Sequence, residues 1–173
     1  MTQLAIEEIR SGAKCISMKL LMNQVELARD KGKYCVIFDK NGNCPIFFKH
    51  KHTIRPLHKE IIAVTAGKIT KVGALETLRA GLVHSMRLGD VFCINMGKLA
   101  PDFKNEWKDD KLWPVDEIFD FDEWREDEKY MKIVKEEENK DLQGGKGNYI
   151  LAESHQMVFL STYTSDEHMV EVM

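Results

Sequence analysis

Apolar residues recur along this chain at two spacings, and the change from one to the other is its clearest structural signal. Over residues 74–88 Leu75, Leu78, Leu82, Val83 and Met86 fall at helical spacing. Arg87-Leu88-Gly89-Asp90 then makes a stop, and Val91-Phe92-Cys93-Ile94 is apolar at every position. A helix closed by glycine and followed at once by an unbroken apolar strand is the unit of an open, mostly parallel α/β sheet. Only a strand covered on both faces is apolar at consecutive positions. The pattern also occurs earlier, where Ser17 is placed to cap a helix from Met18 to about Lys31 with Leu20, Leu21, Val25 and Ala28 in one stripe. Gly32 stops it, and residues 34–38 follow as a second buried strand.

The remaining elements are fitted around these two units. Asp39-Lys40-Asn41-Gly42-Asn43 carries the Asn-Gly signature of a tight turn, so residues 44–48 are expected to return as a strand, held to an edge by Pro45. Leu57, Ile61, Ile62 and Val64 predict a helix started by Pro56. After the central strand, Gly97 and Pro101 open a segment, PDFKNEWK, that predicts one or two helical turns, and Gly144-Gly145-Lys146-Gly147 reads as a flexible connection. Residues 157–162 form the last expected strand. The organisation expected is a polar arm over residues 1–14 and one α/β domain over residues 15–173, with an acidic, aromatic-containing insertion near residues 109–148.

Charge sharpens this picture. The chain of 173 residues is 43% hydrophobic and 31% charged, with a formal net charge of −3 that argues against non-specific nucleic-acid binding. No apolar run approaches the roughly 20 residues of a membrane span, and the acidic opening MTQLAIEEIRSG is unlike a signal peptide, so a cytoplasmic protein is expected. Residues 49–71 are basic, with Lys49, Lys51, Arg55 and Lys59 as a candidate docking stretch, whereas residues 116–128 and 136–138 are strongly acidic. Trp113, Phe119, Phe121 and Trp124 sit among those carboxylates and either fold back on the domain or anchor a partner.

Candidate chemistry is sparse. Cys15, Cys35, Cys44 and Cys93 lack a paired spacing and read as small buried hydrophobes rather than a disulfide framework. Cys44 with His50 and His52 is the one zinc candidate. Neither Gly67-Lys68 nor Gly145-Lys146-Gly147 completes the phosphate-cradling loop G-x-x-x-x-G-K-[ST]. The strand at 91–94 ends in Asn95-Met96, where a magnesium site would need acids. Nucleophile elbows and HExxH are absent. No catalytic residue, metal ligand set or cofactor is expected.

Taken in order, the helix, KGKYCVIFDKNGNCPIFF, the second helix, LRAGLVHSMRLGDVFCINMGKLAPDF and HQMVFLST resemble the large α/β subdomain of AAA-type ATPases. Within that group the resemblance is to the degenerate modules of axonemal dynein heavy chains and their ciliary relatives. It implies a P-loop-NTPase-like fold without a working P-loop. In it, residues 34–39 and the turn after them correspond to the first strand and nucleotide loop, residues 91–95 to the Walker B strand, and residues 159–162 to the sensor strand. Residues 40–43 lack glycine-lysine-threonine, and Asn95 replaces the expected acid. The resemblance therefore implies a vestigial cleft at the carboxyl ends of the strands, made of Asp39, Asn41, Asn43, Asn95 and Thr162.

The function these features favour is that of a non-catalytic structural or adaptor subunit in a large eukaryotic assembly, most specifically a ciliary axoneme or microtubule-associated complex. Its partners would be proteins such as tubulin or dynein subunits, with no nucleic acid and no membrane. An alternative is a small nucleotide-binding switch or enzyme using an unconventional phosphate loop with Lys40 or Asn43. A third is a thiol or metal protein using Cys35, Cys44 and Cys93.

Overall fold

A computed structural model describes residues 13–173; most of the arm expected over residues 1–14 lies outside them. A short 3-10 turn, Met18–Leu20, leads into α1 (Leu21–Asp30), followed by β1 (Cys35–Asp39), α2 (Cys44–Lys51), β2 (Thr53–Arg55), α3 (Leu57–Thr65), α4 (Lys71–Leu88) and β3 (Val91–Gly97). Two one-turn helices, α5 (Val115–Ile118) and α6 (Asp127–Tyr130), lie in a long irregular connection before β4 (Gln156–Thr162) and α7 (Asp166–Val172). The four strands form one all-parallel sheet in the order β1-β4-β3-β2.

The central unit forms as its residue pattern dictates. Thr70 caps α4 by accepting a hydrogen bond from the Gly73 N–H, and Gly89 ends it with φ 67°, a left-handed conformation that glycine adopts without Cβ strain. β3 and β4 are the inner strands and are buried on both faces. Alternation along them separates two apolar layers. Val91, Cys93, Val158 and Leu160 pack with Leu21, Val25, Cys44 and Phe48 on one face, while Phe92, Ile94, Met157 and Phe159 pack with α4 on the other. Gly81 lets α4 approach that second face closely, since a Cβ there would lie 2.6 Å from Arg55 Nε and 2.8 Å from Phe92 Cε2.

Three local expectations are corrected. Residues 44–48 are not a returning strand but the start of α2, because the turn after β1 feeds a helix whose first turn accepts Pro45. β1 is an edge strand with Val36 exposed rather than a fully buried one, which its uniformly apolar sequence did not distinguish. The segment after Pro101 makes hydrogen-bonded turns closed by Asp102, whose carboxylate accepts from the Asn105 N–H at 3.0 Å, and no helix.

The insertion folds back. Trp113 and Trp124 are fully buried in the α4 layer with Val115, Ile118, Tyr130, Ile133 and Tyr149, so neither is available to anchor a partner. Phe119 stacks edge-on to Phe159 of β4 at 5.1 Å, and Phe121 packs on Tyr34 at 5.2 Å beneath the Arg125 guanidinium. All four aromatics among the carboxylates thus face their own domain, although Phe119 keeps 38% of its surface exposed.

One charged group fixes the insertion to α4. Arg79, on α4 and 1% exposed, forms a fork–fork pair with Glu76 (Nε–Oε2 2.8 Å, Nη2–Oε1 2.7 Å) and a second with Glu138 (Nη1–Oε2 2.6 Å, Nη2–Oε1 2.8 Å). It also donates to the Ile133 carbonyl at 2.6 Å. Hydrogen bonds from Arg79 and Lys135 hold the Glu76 carboxyl down at about 2, against the opposing effect of partial burial. Glu138 is desolvated, but its bonds to Arg79 and to the Lys135 N–H outweigh that and hold it below the usual carboxylate range.

Arg79→Met strands two carboxylates and the Ile133 carbonyl, and the expected loss is about 3–5 kcal/mol in urea unfolding. The pH dependence has a defined sign. A carboxyl whose folded pKa is depressed contributes stability above its unfolded pKa and loses it as pH falls toward the folded value. The native chain therefore loses stability from about pH 5 downward toward pH 2, and the Arg79→Met variant shows a shallower loss over that range in the same assay.

Candidate functional site

The carboxyl ends of β1, β4 and β3 lie side by side, because β4 pairs with both neighbours. Asp39 is opposite Thr162, and Gly97 is opposite Ser161, after a register shift at Asn95. This is the edge at which open α/β sheets bind ligands, and it brings together Asp39, Asn95 and Thr162 of the expected cleft, with Asn41 and Asn43 on the loop leaving β1.

The polar atoms of this edge are already engaged. Asp39 is buried, and its Oδ1 accepts from the N–H groups of Asn41 at 3.1 Å and Gly42 at 2.9 Å, while Oδ2 accepts from Cys44 N–H at 2.9 Å. The chain can close that tightly because Gly42 takes φ 73°. Converging N–H groups between a strand and a helix can receive an anion, and here all three are bonded to the chain's own Asp39 carboxylate. The Asp39 carbonyl in turn accepts from Tyr163 N–H at 3.1 Å.

β3 ends in the same manner. Asn95 is buried, its Oδ1 accepts from the Gly97 N–H at 2.9 Å across the bulge, and its carbonyl lies 3.0 Å from His58 Nδ1. Gly97 has φ 60°, and a Cβ there would come within 2.9 Å of the His58 ring. Thr162 is half-buried, and Asn41 and Asn43 are exposed; Asn43 precedes α2 without capping it through its side chain.

A pair that the sequence reading missed completes the edge. Ser161 Oγ lies 3.0 Å from His168 Nε2 and 3.3 Å from the Gly97 carbonyl oxygen, and Glu171 Oε2 is 3.7 Å from His168 Nδ1. These are the residue types of a nucleophile, a base and an orienting acid. Ser161 is completely enclosed, however, and the Glu171 contact is longer than a hydrogen bond, so the group works as a clasp that seats α7 on β4. Spacing of seven residues across a strand end and a new helix carries no signal in the sequence.

Elsewhere the candidate chemistry is also absorbed by structure. At the opposite edge of the sheet Asp90 receives His52 Nδ1 at 2.7 Å, the Thr53 N–H and hydroxyl at 2.8 Å each and the Val91 N–H at 2.8 Å. Burial opposes its ionisation, but those bonds prevail and hold the carboxyl below its ordinary value. The zinc candidate is dispersed, since Cys44 is buried at the start of α2, His50 is exposed and His52 is committed to Asp90. Burial pushes the thiols of Cys35 and Cys93 up and, together with the adjacent Asp39 charge, raises Cys44 to about 12, so all three stay protonated and unreactive at neutral pH.

Comparison of the chain with protein-family models, with curated proteins and with solved structures finds no match. No described helix is long and apolar enough to cross a membrane.

Asp39→Ala removes the acceptor of three N–H groups and is expected to destabilise the fold by about 2–3 kcal/mol in urea unfolding. Asp39→Asn keeps one carbonyl oxygen but sets an amide NH2 against a backbone donor, and loses about half as much. A second expectation concerns His155, which is fully buried with Nδ1 2.9 Å from the Asp90 carbonyl oxygen. Burial pushes it down to about 4 from 6.5. Between those values the unfolded chain takes up a proton that the folded chain refuses, so stability falls as pH falls, by on the order of 3 kcal/mol. His155→Gln abolishes that part of the pH slope in denaturation measured from pH 7 to pH 4.

Proposed function

We propose that this chain is a non-catalytic structural or adaptor module, a P-loop-NTPase-like α/β unit whose nucleotide edge is filled by its own side chains. The observation that carries the reading is the Asp39 carboxylate seated on the N–H groups of Asn41, Gly42 and Cys44. A phosphate entering that loop would have to displace a buried charge and would meet its repulsion at the same donors. The inward bond of Asn95 and the clasp of Ser161 with His168 point the same way. The adjacency of β1, β4 and β3 accords with the AAA-type resemblance, since the three strands compared with its nucleotide strand, sensor strand and Walker B strand share one edge. Through that resemblance the assembly we favour is a ciliary axoneme or another microtubule-associated complex.

The basic stretch supplies a docking face on this reading. Residues 49–71 hold six lysines and arginines against one glutamate. Lys49 and Lys51 end α2, Lys59 lies on α3, and all three are exposed on the helices either side of edge strand β2. Arg55 is not part of the exposed face, because it is half-buried and its Nε lies against the backbone of Gly81. An acidic partner such as a tubulin tail suits the three lysines, for which charge sets orientation and association rate more than affinity.

Thermal unfolding with millimolar ATP, ADP and GTP, with and without magnesium, is expected to show no shift and no phosphate release. A nucleotide at a hundredfold excess over its Kd would add about 2.7 kcal/mol, several degrees in a domain of this size, and such a shift reversed by replacing Lys40 or Asn43 would establish the nucleotide-switch alternative instead. Changing Lys49, Lys51 and Lys59 together to glutamate is expected to abolish co-sedimentation with microtubules at low salt; retention of binding by that variant would remove the basic face from the account.

A further inference from the structure

The loop that turns α3 into α4 is exposed without interruption from Thr65 to Gly73, and its hydrogen bonds are all local to the hairpin. Ile69 and Val72 stand 41% and 62% exposed there, and Ile62, on the last turn of α3, is 60% exposed. The charges are of one sign. Between Glu60 and Glu76 the ionisable residues are Lys68 and Lys71 alone. Glu60 is half-buried with Oε2 enclosed, and Glu76 is bonded to Arg79 and Lys135, so neither carboxylate answers these lysines. Lys71 opens α4, an 18-residue helix whose first turn carries no acid, and a cation at that end of the helix dipole is unfavourable. The two lysines therefore do not serve the fold.

A second exposed patch has the opposite chemistry. On the one-turn helix α5, Val115 and Ile118 are buried, while Asp116, Phe119 and Asp120 are exposed together on its outer side. Asp120 gives one oxygen to the Glu123 N–H at 2.9 Å and keeps the other. Lys129 and Lys132, which follow in the chain, are tied to Glu123 and Glu117. Arg125 is committed to the Phe121 ring and the His155 carbonyl.

We propose that these two patches bind each other between copies of this chain, the α3–α4 loop of one copy covering Phe119 of the next while Lys68 and Lys71 meet Asp116 and Asp120. Each patch joins exposed apolar surface to charge of a single sign, and the signs are opposite. Apolar contact rimmed by complementary charge is the anatomy of a reversible interface, in which the charges set orientation and association rate. Within one copy the patches leave each other unsatisfied. Phe119 is stacked on Phe159 of its own β4, and among the described residues neither the two lysines nor the two aspartates form an ion pair. The two surfaces differ, so the contact is heterologous. It goes beyond the adaptor reading, because its partner is the chain itself.

The test is sedimentation velocity of the intact chain from micromolar to millimolar concentration, in about 20 mM and about 500 mM salt. At low salt the weight-average mass is expected to rise with concentration beyond that of a single chain, and at high salt to fall back toward it. Lys68→Glu with Lys71→Glu, and separately Asp116→Lys with Asp120→Lys, are each expected to weaken association about tenfold or more. Val72→Ser weakens it at both salt concentrations. An equimolar mixture of the two charge-reversed variants is expected to regain the complex, because one then carries two acidic patches and the other two basic ones, a rescue that an unfolded variant does not give. Thermal unfolding reads whether each variant is folded, and Asp116→Lys alone takes the place of the double aspartate change if loss of the Asp120 bond to Glu123 unfolds the chain. A single-chain mass at millimolar protein and low salt, association that the lysine reversal leaves unchanged, or a mixture of folded variants that stays monomeric would each overturn the proposal. Lys49 and Lys51 stay in place and neither microtubules nor nucleotide are present, so failure here and failure of the adaptor reading are told apart.

Discussion

The guanidinium of Arg79 joins the two halves of this molecule. It is enclosed within the face that α4 presents away from solvent, and a buried cation is tolerated only when its donors are met. Glu76, one turn before it on the helix, meets one side of the fork; Glu138 and the Ile133 carbonyl, from the irregular connection, meet the other. The long stretch between β3 and β4 has little regular structure of its own and is held by this ion cluster, by Tyr149 donating to the Val83 carbonyl at 2.7 Å, and by two buried tryptophans. With the connection so fixed, β4 is delivered between β1 and β3, and the carboxyl edge of the sheet comes into being.

That edge is the one at which open α/β sheets bind ligands, and its polar groups are engaged from within. Asp39 satisfies the loop after β1, Asn95 satisfies the bulge that ends β3, and His168 from the last helix covers Ser161 on β4. Each bond meets a backbone or side-chain donor or acceptor that would otherwise cost free energy when buried. The carboxyl ends of the strands thus gain stability from their own polar groups, which are bonded within the chain.

Elements with long-range periodicity were legible in the sequence. α4 and β3 follow from Leu75, Leu78, Leu82 and Met86 and from the apolar run after Gly89, because a helix packed on a sheet and a strand buried on both faces leave unmistakable spacings. The start of α2 reads as a strand in sequence because Cys44-Pro45-Ile46-Phe47-Phe48 is short and uniformly apolar, and only the parallel pairing of β1, a tertiary fact, decides for a helix. β2 has three residues and no spacing to detect. Asp39 and Asn95 stand out in the sequence only as polar residues at the ends of apolar runs; their partners are backbone N–H groups, and hydrogen bonds to the backbone leave no trace in residue identity. Ser161 and His168 meet only once α7 has packed.

The claim on which the functional reading stands is that the loop after β1 has no vacancy for phosphate. Amide proton and nitrogen NMR shifts of Asn41, Gly42 and Cys44 during titration with magnesium ATP report on it directly, since those three N–H groups are the ones a phosphate would take from Asp39. The account predicts that all three resonances hold their positions to millimolar nucleotide. Saturable movement of these amides, with the rest of the sheet undisturbed, would contradict it and make the edge a nucleotide site.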